Sequence, residues 1–249
     1  MTNKEQRPSY RPGGFTFKQF FVAHDKCGMK VTTDGIVLGS WAAINEQCHR
    51  VLDIGTGSGL LVLMLAQRSA SSTKLDAVDI DESAVSQARE NVLASPWSSR
   101  IQIFHTDIST FVAQQAGGYD AIVCNPPYYP QGCECRDAPR EKARYATGLR
   151  HADLLAYAKR LLKPEGAFSL MLTTAPAEAL LVQAAQDGWF IRRRTHVSDR
   201  VGRAPYLTLL ELTRAPCSGD EQYLFIREED GGNYTKAYRA LTKDFYLFF

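Results

Sequence analysis

Arg50-Val51-Leu52-Asp53-Ile54-Gly55-Thr56-Gly57-Ser58-Gly59 runs without a break into Leu60-Leu61-Val62-Leu63-Met64-Leu65-Ala66. A short apolar run, a turn with glycine at every second position and a longer apolar helical run read as a strand, a tight turn and a buried helix. That is the opening unit of a doubly wound, mostly parallel α/β sheet with helices on both faces. The alternation repeats downstream. Strands are predicted at residues 74–81, 101–105, from 119 up to Cys124, and at 167–172, with helices at 82–93, 151–162 and 176–187. Pro164-Glu165-Gly166 reads as a turn. Residues 188–195 and 206–212 complete a count of seven strands and are expected to close the sheet as an antiparallel hairpin.

The glycine spacing narrows the ligand. A dinucleotide fingerprint, G-x-G-x-x-G, read from Gly55 would need glycine where Leu60 stands. Instead Asp53 precedes Gly55, Gly57 and Gly59, and an acid before the turn repels a pyrophosphate. The pattern asks for a ligand with cationic groups and no phosphate there. S-adenosylmethionine, with its ammonium and sulfonium, fits. Asp79 near the end of the second strand is suited to accept from both ribose hydroxyls, while Asp81 is expected to cap the next helix. Asp107, just past the third strand, has two readings, an acceptor for an adenine amino group or an ordinary helix start. His105 reads as a strand-end histidine and not as a catalyst.

The fourth strand delivers Asn125-Pro126-Pro127-Tyr128-Tyr129 to the carboxyl edge, where open α/β sheets carry out their chemistry. The residue types suit a planar exocyclic amine, whose lone pair is delocalised and must be drawn out. The side-chain oxygen of Asn125 and the carbonyl of Pro126 can accept its two N–H groups, and both bonds strengthen as positive charge builds on nitrogen. Two successive prolines stiffen the turn, and Tyr128 offers a ring for stacking. Tyr129 is grouped with the substrate-contacting residues.

Upstream, residues 1–14 carry Pro8, Pro12 and Gly13-Gly14 and are expected to be a mobile tail. Residues 15–44 are expected to form a segment over the cofactor site: an extended stretch at 15–22, then a short helix at 36–41. Thr33 and Asp34 are either that helix's cap or part of a lid on the cofactor. Residues 45–214 form the expected core, and 215–249 an aromatic-rich extension packed on it, with an added strand at 221–227.

The formal charge of +2 does not by itself announce a nucleic-acid binder, so that case rests on where the basic residues lie. Residues 133–150 hold Arg136, Arg140, Lys142, Arg144 and Arg150 beside the catalytic strand end. Arg192, Arg193 and Arg194, with Arg200 and Arg203, make a second group, which reads as a solvated rim or as a phosphate-contacting surface. Strand alternation sends Arg193 to the face opposite Arg192 and Arg194. Six scattered cysteines predict reduced thiols, and Cys133-Glu134-Cys135 lacks the spacing of a metal site, so no metal is expected. With no long apolar run, a cytoplasmic protein without membrane partners is expected.

Asp53-x-Gly55-x-Gly57-x-Gly59, Asp79 and Asn125-Pro126-Pro127-Tyr128 together resemble the class I, Rossmann-like amino methyltransferases. From about Phe15 to Phe249 the chain is similar to the bacterial family that methylates N6 of adenine 37 in tRNA1(Val). Residues 15–24 (FTFKQFFVAH), 29–41, 125–132 (NPPYYPQG) and 241–249 (LTKDFYLFF) carry the likeness. The resemblance implies tRNA as partner and a target base just 3′ of the anticodon. It implies that Asp53 and Gly55 lie under the methionine part of S-adenosylmethionine, Asp79 at the ribose, Asp107 at the adenine, and Asn125 with Tyr128 at the target. The Asn-Pro-Pro-Tyr motif also serves enzymes acting on glutamine N5, but those of release factors carry an extra N-terminal helical domain, for which the roughly 45 residues before Val51 are too few. Methylation of adenine in DNA and a binding module without turnover are competing functions for the same motifs.

Overall fold

The computed structural model describes residues 11–28, 30–126 and 151–249. Two short antiparallel strands, β1 (Gly14–Thr16) and β2 (Phe21–Ala23), precede helix α1 (Thr33–Trp41). The winding then runs β3 (Arg50–Ile54), α2 (Leu60–Arg68), β4 (Lys74–Asp79), α3 (Glu82–Leu93), β5 (Ile101–His105), α4 (Ile108–Gln114) and β6 (Tyr119–Cys124). Later in the chain come α5 (His151–Leu161), β7 (Leu162–Thr173), α6 (Thr174–Gln186), β8 (Phe190–Arg200), β9 (Leu207–Thr213), β10 (Asp220–Arg227) and α7 (Lys236–Thr242).

The main sheet has the order β10-β8-β9-β7-β6-β3-β4-β5. From β3 the chain winds outward through β4 and β5 on one side and reaches β6 and β7 on the other, all parallel. The order reverses between β3 and β6, and that switch point opens a crevice at the strands' carboxyl ends. β9 runs antiparallel to β7 and β8, as the hairpin reading required. The seven predicted strands are joined by an eighth, because β10 from the C-terminal region adds parallel to β8.

Side-chain alternation sorts the core onto two faces. Val51, Leu75, Ala77, Val123 and Met171 pack with α1 and α2, whereas Leu52, Ile54, Val78, Ile122, Cys124 and Leu170 pack with α4, α5 and α6. The helices are therefore pinned to both sides of a sheet buried on both faces.

Three local readings are corrected. Pro164-Glu165-Gly166 lies within β7, where the register jumps from Tyr119↔Leu162 to Ala121↔Ala167, so the turn residues are absorbed as a bulge. The extended segment 15–22 folds back on itself, with Phe17 N–H bonded to Phe20 C=O at 2.8 Å. The cap of α1 is Thr32: it keeps an extended backbone (φ −117°, ψ 155°) and its Oγ1 accepts from Gly35 N–H at 3.2 Å, while Thr33 and Asp34 already lie inside the helix.

The C-terminal aromatics anchor that end of the chain to the N-terminal hairpin. Phe17 meets Phe245 edge-on and Phe15 meets Tyr246, and Lys18 Nζ donates to the Phe249 carbonyl at 2.9 Å. Among the described residues no helix is long and apolar enough to cross a membrane.

Candidate active site at the switch point

The register aligns the site. Ile54 is level with Cys124 on one side and Val78 on the other, and Asp79 is level with His105. The residues beyond those strand ends, Asn125, Gly55 and Asp107, with Asp79 itself, therefore line one edge. Three inter-strand spacings of about 4.8 Å make this row roughly 14 Å long. Asn125 is half-buried and Pro126 buried. Tyr128, Tyr129, Arg136, Arg140 and Arg144 lie outside the described residues.

Asp53 is fully buried. Its Oδ2 accepts from Thr56 Oγ1 at 2.6 Å and from Val62 N–H at 3.1 Å, so the acid ties β3 to the turn and to α2. Its Oδ1 has no hydrogen-bond partner among the described residues. Burial pushes the carboxyl up to about 7, against the two hydrogen bonds that lower it. A buried carboxylate oxygen without a partner is what a cationic group would satisfy.

The turn leaves room beside it. Gly55 and Gly57 have φ of 73° and 56°, and a Cβ on either would meet nothing within 4 Å. Gly59 (φ 83°) is different, since its Cβ would touch Ala88 of α3 at 3.4 Å. Open space over two left-handed glycines, which follow in sequence a buried acid with an unmet oxygen, suits the methionine end of S-adenosylmethionine. Gly55 and Thr56 N–H both bond to Val78 C=O, and Gly57 N–H donates to Asp79 Oδ2 at 2.8 Å. Asp79 Oδ1 accepts from Asp81 N–H at 3.0 Å, so two backbone bonds orient this carboxylate beside the turn. Asp81 caps α3, as predicted.

Asp107 displays the helix-start reading: its Oδ1 accepts from Ser109 N–H at 2.8 Å and caps α4. Thr33 and Asp34, in the first turn of α1, are held from two sides. Asp34 Oδ1 accepts from Tyr206 Oη at 3.0 Å, and the Thr33 hydroxyl acts on the Tyr246 phenol, holding its titration down against burial. Burial raises the Asp34 carboxyl, partly countered by Tyr206. Sequence reasoning missed Tyr206, which carries no local signal of its role.

The arginines divide. Arg193 stacks on Trp41, with 3.8 Å from guanidinium carbon to ring centroid, and pairs with buried Glu211 at 2.8 Å. Arg192 does not alternate with it as predicted: a bulge between Ile191 and Arg193 brings Arg192 to the same Glu211, at 3.6 Å, and to Thr213 Oγ1, whereas Arg194, level with Leu210 on the other face, is ion-paired to Glu178. Arg192 and Arg194 are thus both engaged in contacts within the chain. Arg200 and Arg203 differ. β8 runs in the same direction as β6, so Arg200 at its end and exposed Arg203 in the following turn project beyond the edge that carries Asn125. Neither forms an ion pair among the described residues.

Comparison with known proteins agrees with this geometry. Residues 41–186 match the methyltransferase small domain family. A tRNA1(Val) (adenine(37)-N6)-methyltransferase of Serratia proteamaculans is 51% identical over 240 residues, covering 96% of this chain and 92% of its own. The protein of the same description from Escherichia coli O157:H7 is 48% identical, covering 96% of each. Among solved structures, a predicted O-methyltransferase from Agrobacterium tumefaciens shares the fold (TM-score 0.66, 18% identity, 85% of this chain and 96% of that one). The chain belongs to the methyltransferase small domain family and, within it, to the family of the tRNA1(Val) (adenine(37)-N6)-methyltransferases.

Proposed function

We infer that this protein transfers the methyl group of S-adenosylmethionine to N6 of adenine 37 in tRNA1(Val), in the cytoplasm. The observation that carries the reading is the position of Asn125-Pro126 at the end of β6, one strand from the glycine turn and Asp53, at the switch point of the sheet.

When bound, S-adenosylmethionine supplies an electrophilic methyl carbon on a sulfonium. Asp53 and the open turn at Gly55 and Gly57 hold its amino-acid end, with Gly59 fixing the turn against α3. Asp79 takes the ribose hydroxyls, and Asp107 offers Oδ2 to the adenine amino group, its Oδ1 being used by the cap. Thr33 and Asp34 border the site from α1. The target adenine leaves the stack of the anticodon loop at a cost of a few kcal/mol, and Tyr128, beside Tyr129, gives it a replacement surface. Asn125 Oδ1 and the Pro126 carbonyl accept from N6, drawing its lone pair toward the methyl carbon. With the group bound, N6 would take its methyl carbon, leaving the sulfur as a neutral thioether, and the N6 proton would pass to solvent. No titrating base is required. Guanine would present an oxygen to these two acceptors and is rejected. Arg200 and Arg203, with Arg136, Arg140 and Arg144, contact phosphates of the RNA.

The test is incubation of purified protein with labelled S-adenosylmethionine and total tRNA from a strain lacking the activity, followed by nucleoside analysis. Label in N6-methyladenosine from tRNA1(Val) alone is expected. Label in protein or DNA with none in tRNA would overturn the assignment.

A further inference from the structure

Asn91 sits in the last turn of α3, buried, with no part in the chemistry above. Its Nδ2 donates to two carbonyls, Ala23 of β2 and Ser58 of the glycine turn, each at 2.8 Å. Its Oδ1 accepts from Ala23 N–H at 2.9 Å. Both donors of one amide are thus used, and they join two segments far apart in the chain. The Ser58–Gly59 peptide is held at both ends, since Gly59 N–H bonds Thr56 C=O at 2.9 Å. One turn earlier on the same helix face, buried Gln87 accepts from Lys26 N–H at 2.9 Å. The gripped segment leads through Val31, whose N–H bonds His24 Nδ1, to the Thr32 cap and the first turn of α1. There Gly35 approaches Leu60, the residue directly after the glycine turn, so closely that a Cβ would lie 2.9 Å from its side chain. The N-terminal segment and the turn therefore meet twice, once through Asn91 and once through α1.

We propose that Asn91 is a positioning residue coupling the glycine turn to the N-terminal segment, so that binding of S-adenosylmethionine and ordering of β2 and the first turn of α1 reinforce each other. The proposal rests on the glycine turn being the cofactor seat. A peptide between two left-handed glycines is free to rotate unless its carbonyl is held, and the bond that holds it comes from the amide that holds β2. Whatever fixes one fixes the other, and the effect is reciprocal.

The test is hydrogen exchange of the full chain with and without S-adenosylhomocysteine, reading the Ala23 and Lys26 amides, which report the bracket directly, and residues 55–59, which report the turn. In the wild type both regions should slow, by about tenfold or more. Slowing at 55–59 with none at Ala23 and Lys26 would overturn the coupling and leave the cofactor seat standing. No slowing at either would overturn both. Asn91→Asp keeps the shape but turns both donors into acceptors facing carbonyls. It should abolish the slowing at Ala23, keep that at 55–59, and weaken S-adenosylhomocysteine binding about tenfold. Asn91→His, a second variant able to donate one of the bonds, should recover part of the affinity. If a folded Asn91→Asp protein shows wild-type slowing at Ala23, the residue is merely structural and the proposal is wrong.

Discussion

Replacing Asp53 by asparagine changes a charge and almost nothing else. The amide oxygen takes over the bonds from Thr56 and Val62, and the amino group occupies the place of Oδ1, which has no partner among the described residues. The carboxyl ordinarily titrates at 3.8 and is raised to about 7 in the fold by burial. Between those two pH values the folded state holds a proton that the unfolded chain has lost, so stability falls as pH rises through this window and is level above it. About three pH units at 1.36 kcal/mol each give on the order of 4 kcal/mol of stability lost to ionising this one group. Asp53→Asn escapes that loss. Urea unfolding at pH 5, 6, 7 and 8 should show the ligand-free variant gaining on the wild type by about 1 kcal/mol per pH unit up to pH 7, then holding a constant lead. Affinity for S-adenosylmethionine should move the opposite way. The wild type should bind more tightly as pH rises through about 7, when Asp53 ionises. The variant should bind about tenfold to a hundredfold more weakly at pH 8, having lost a charged partner for the ammonium. A stability difference that does not change between pH 5 and 7, or wild-type affinity in the variant, would refute the reasoning.

Asn125→Ala should lower kcat by about a hundredfold or more while cofactor affinity, read by calorimetry, stays within about twofold of the wild type. Gly57→Ala forces a Cβ onto a left-handed backbone and into the open space of the turn; thermal unfolding should show a loss of about 1 kcal/mol, and cofactor affinity should drop well beyond that loss. Arg200→Ala with Arg203→Ala should weaken RNA binding and reduce the slope of log affinity against log salt by about 2, with Arg192→Ala leaving the slope unchanged. Arg193→Leu strips buried Glu211 of its near partner and Trp41 of its stacked cation, and should cost about 3 kcal/mol in urea unfolding without changing the KM for tRNA at a permissive temperature.

Some of these positions are legible in the chain itself and others are not, and the division follows the range of the interaction. Asp81 as a cap, Asp53 before its glycines and Asn125 at a strand end are local patterns, readable because a helix start, a left-handed turn and a strand end each need particular residues within a few positions. Alternation along a strand likewise separates Arg193 from Arg194, but it fails for Arg192, because a bulge between Ile191 and Arg193 brings Arg192 to the same Glu211 that Arg193 binds. The cap of α1 is misplaced by one or two residues in the sequence reading because Thr32, Thr33 and Asp34 are all good cap residues, and only the backbone angles distinguish them. Pro164-Glu165-Gly166 resembles a turn because those residues favour one; neighbouring β6 holds them in a bulged strand instead.

The sequence by itself determined the doubly wound sheet, the glycine turn after an acid at the end of β3, and the placement of Asn125-Pro126 at the end of β6. Each depends on short-range periodicity or spacing, which for the sheet repeats from strand to strand along the chain. Only the tertiary structure decided which polar groups are engaged elsewhere. Arg193 meets Trp41 from 152 positions away, Tyr206 reaches Asp34 across 172, and Asn91 joins Ala23, 68 positions distant, to Ser58. Such partners leave no periodic trace in the chain, because their proximity is produced by the strand order of the sheet and the packing of helices against it.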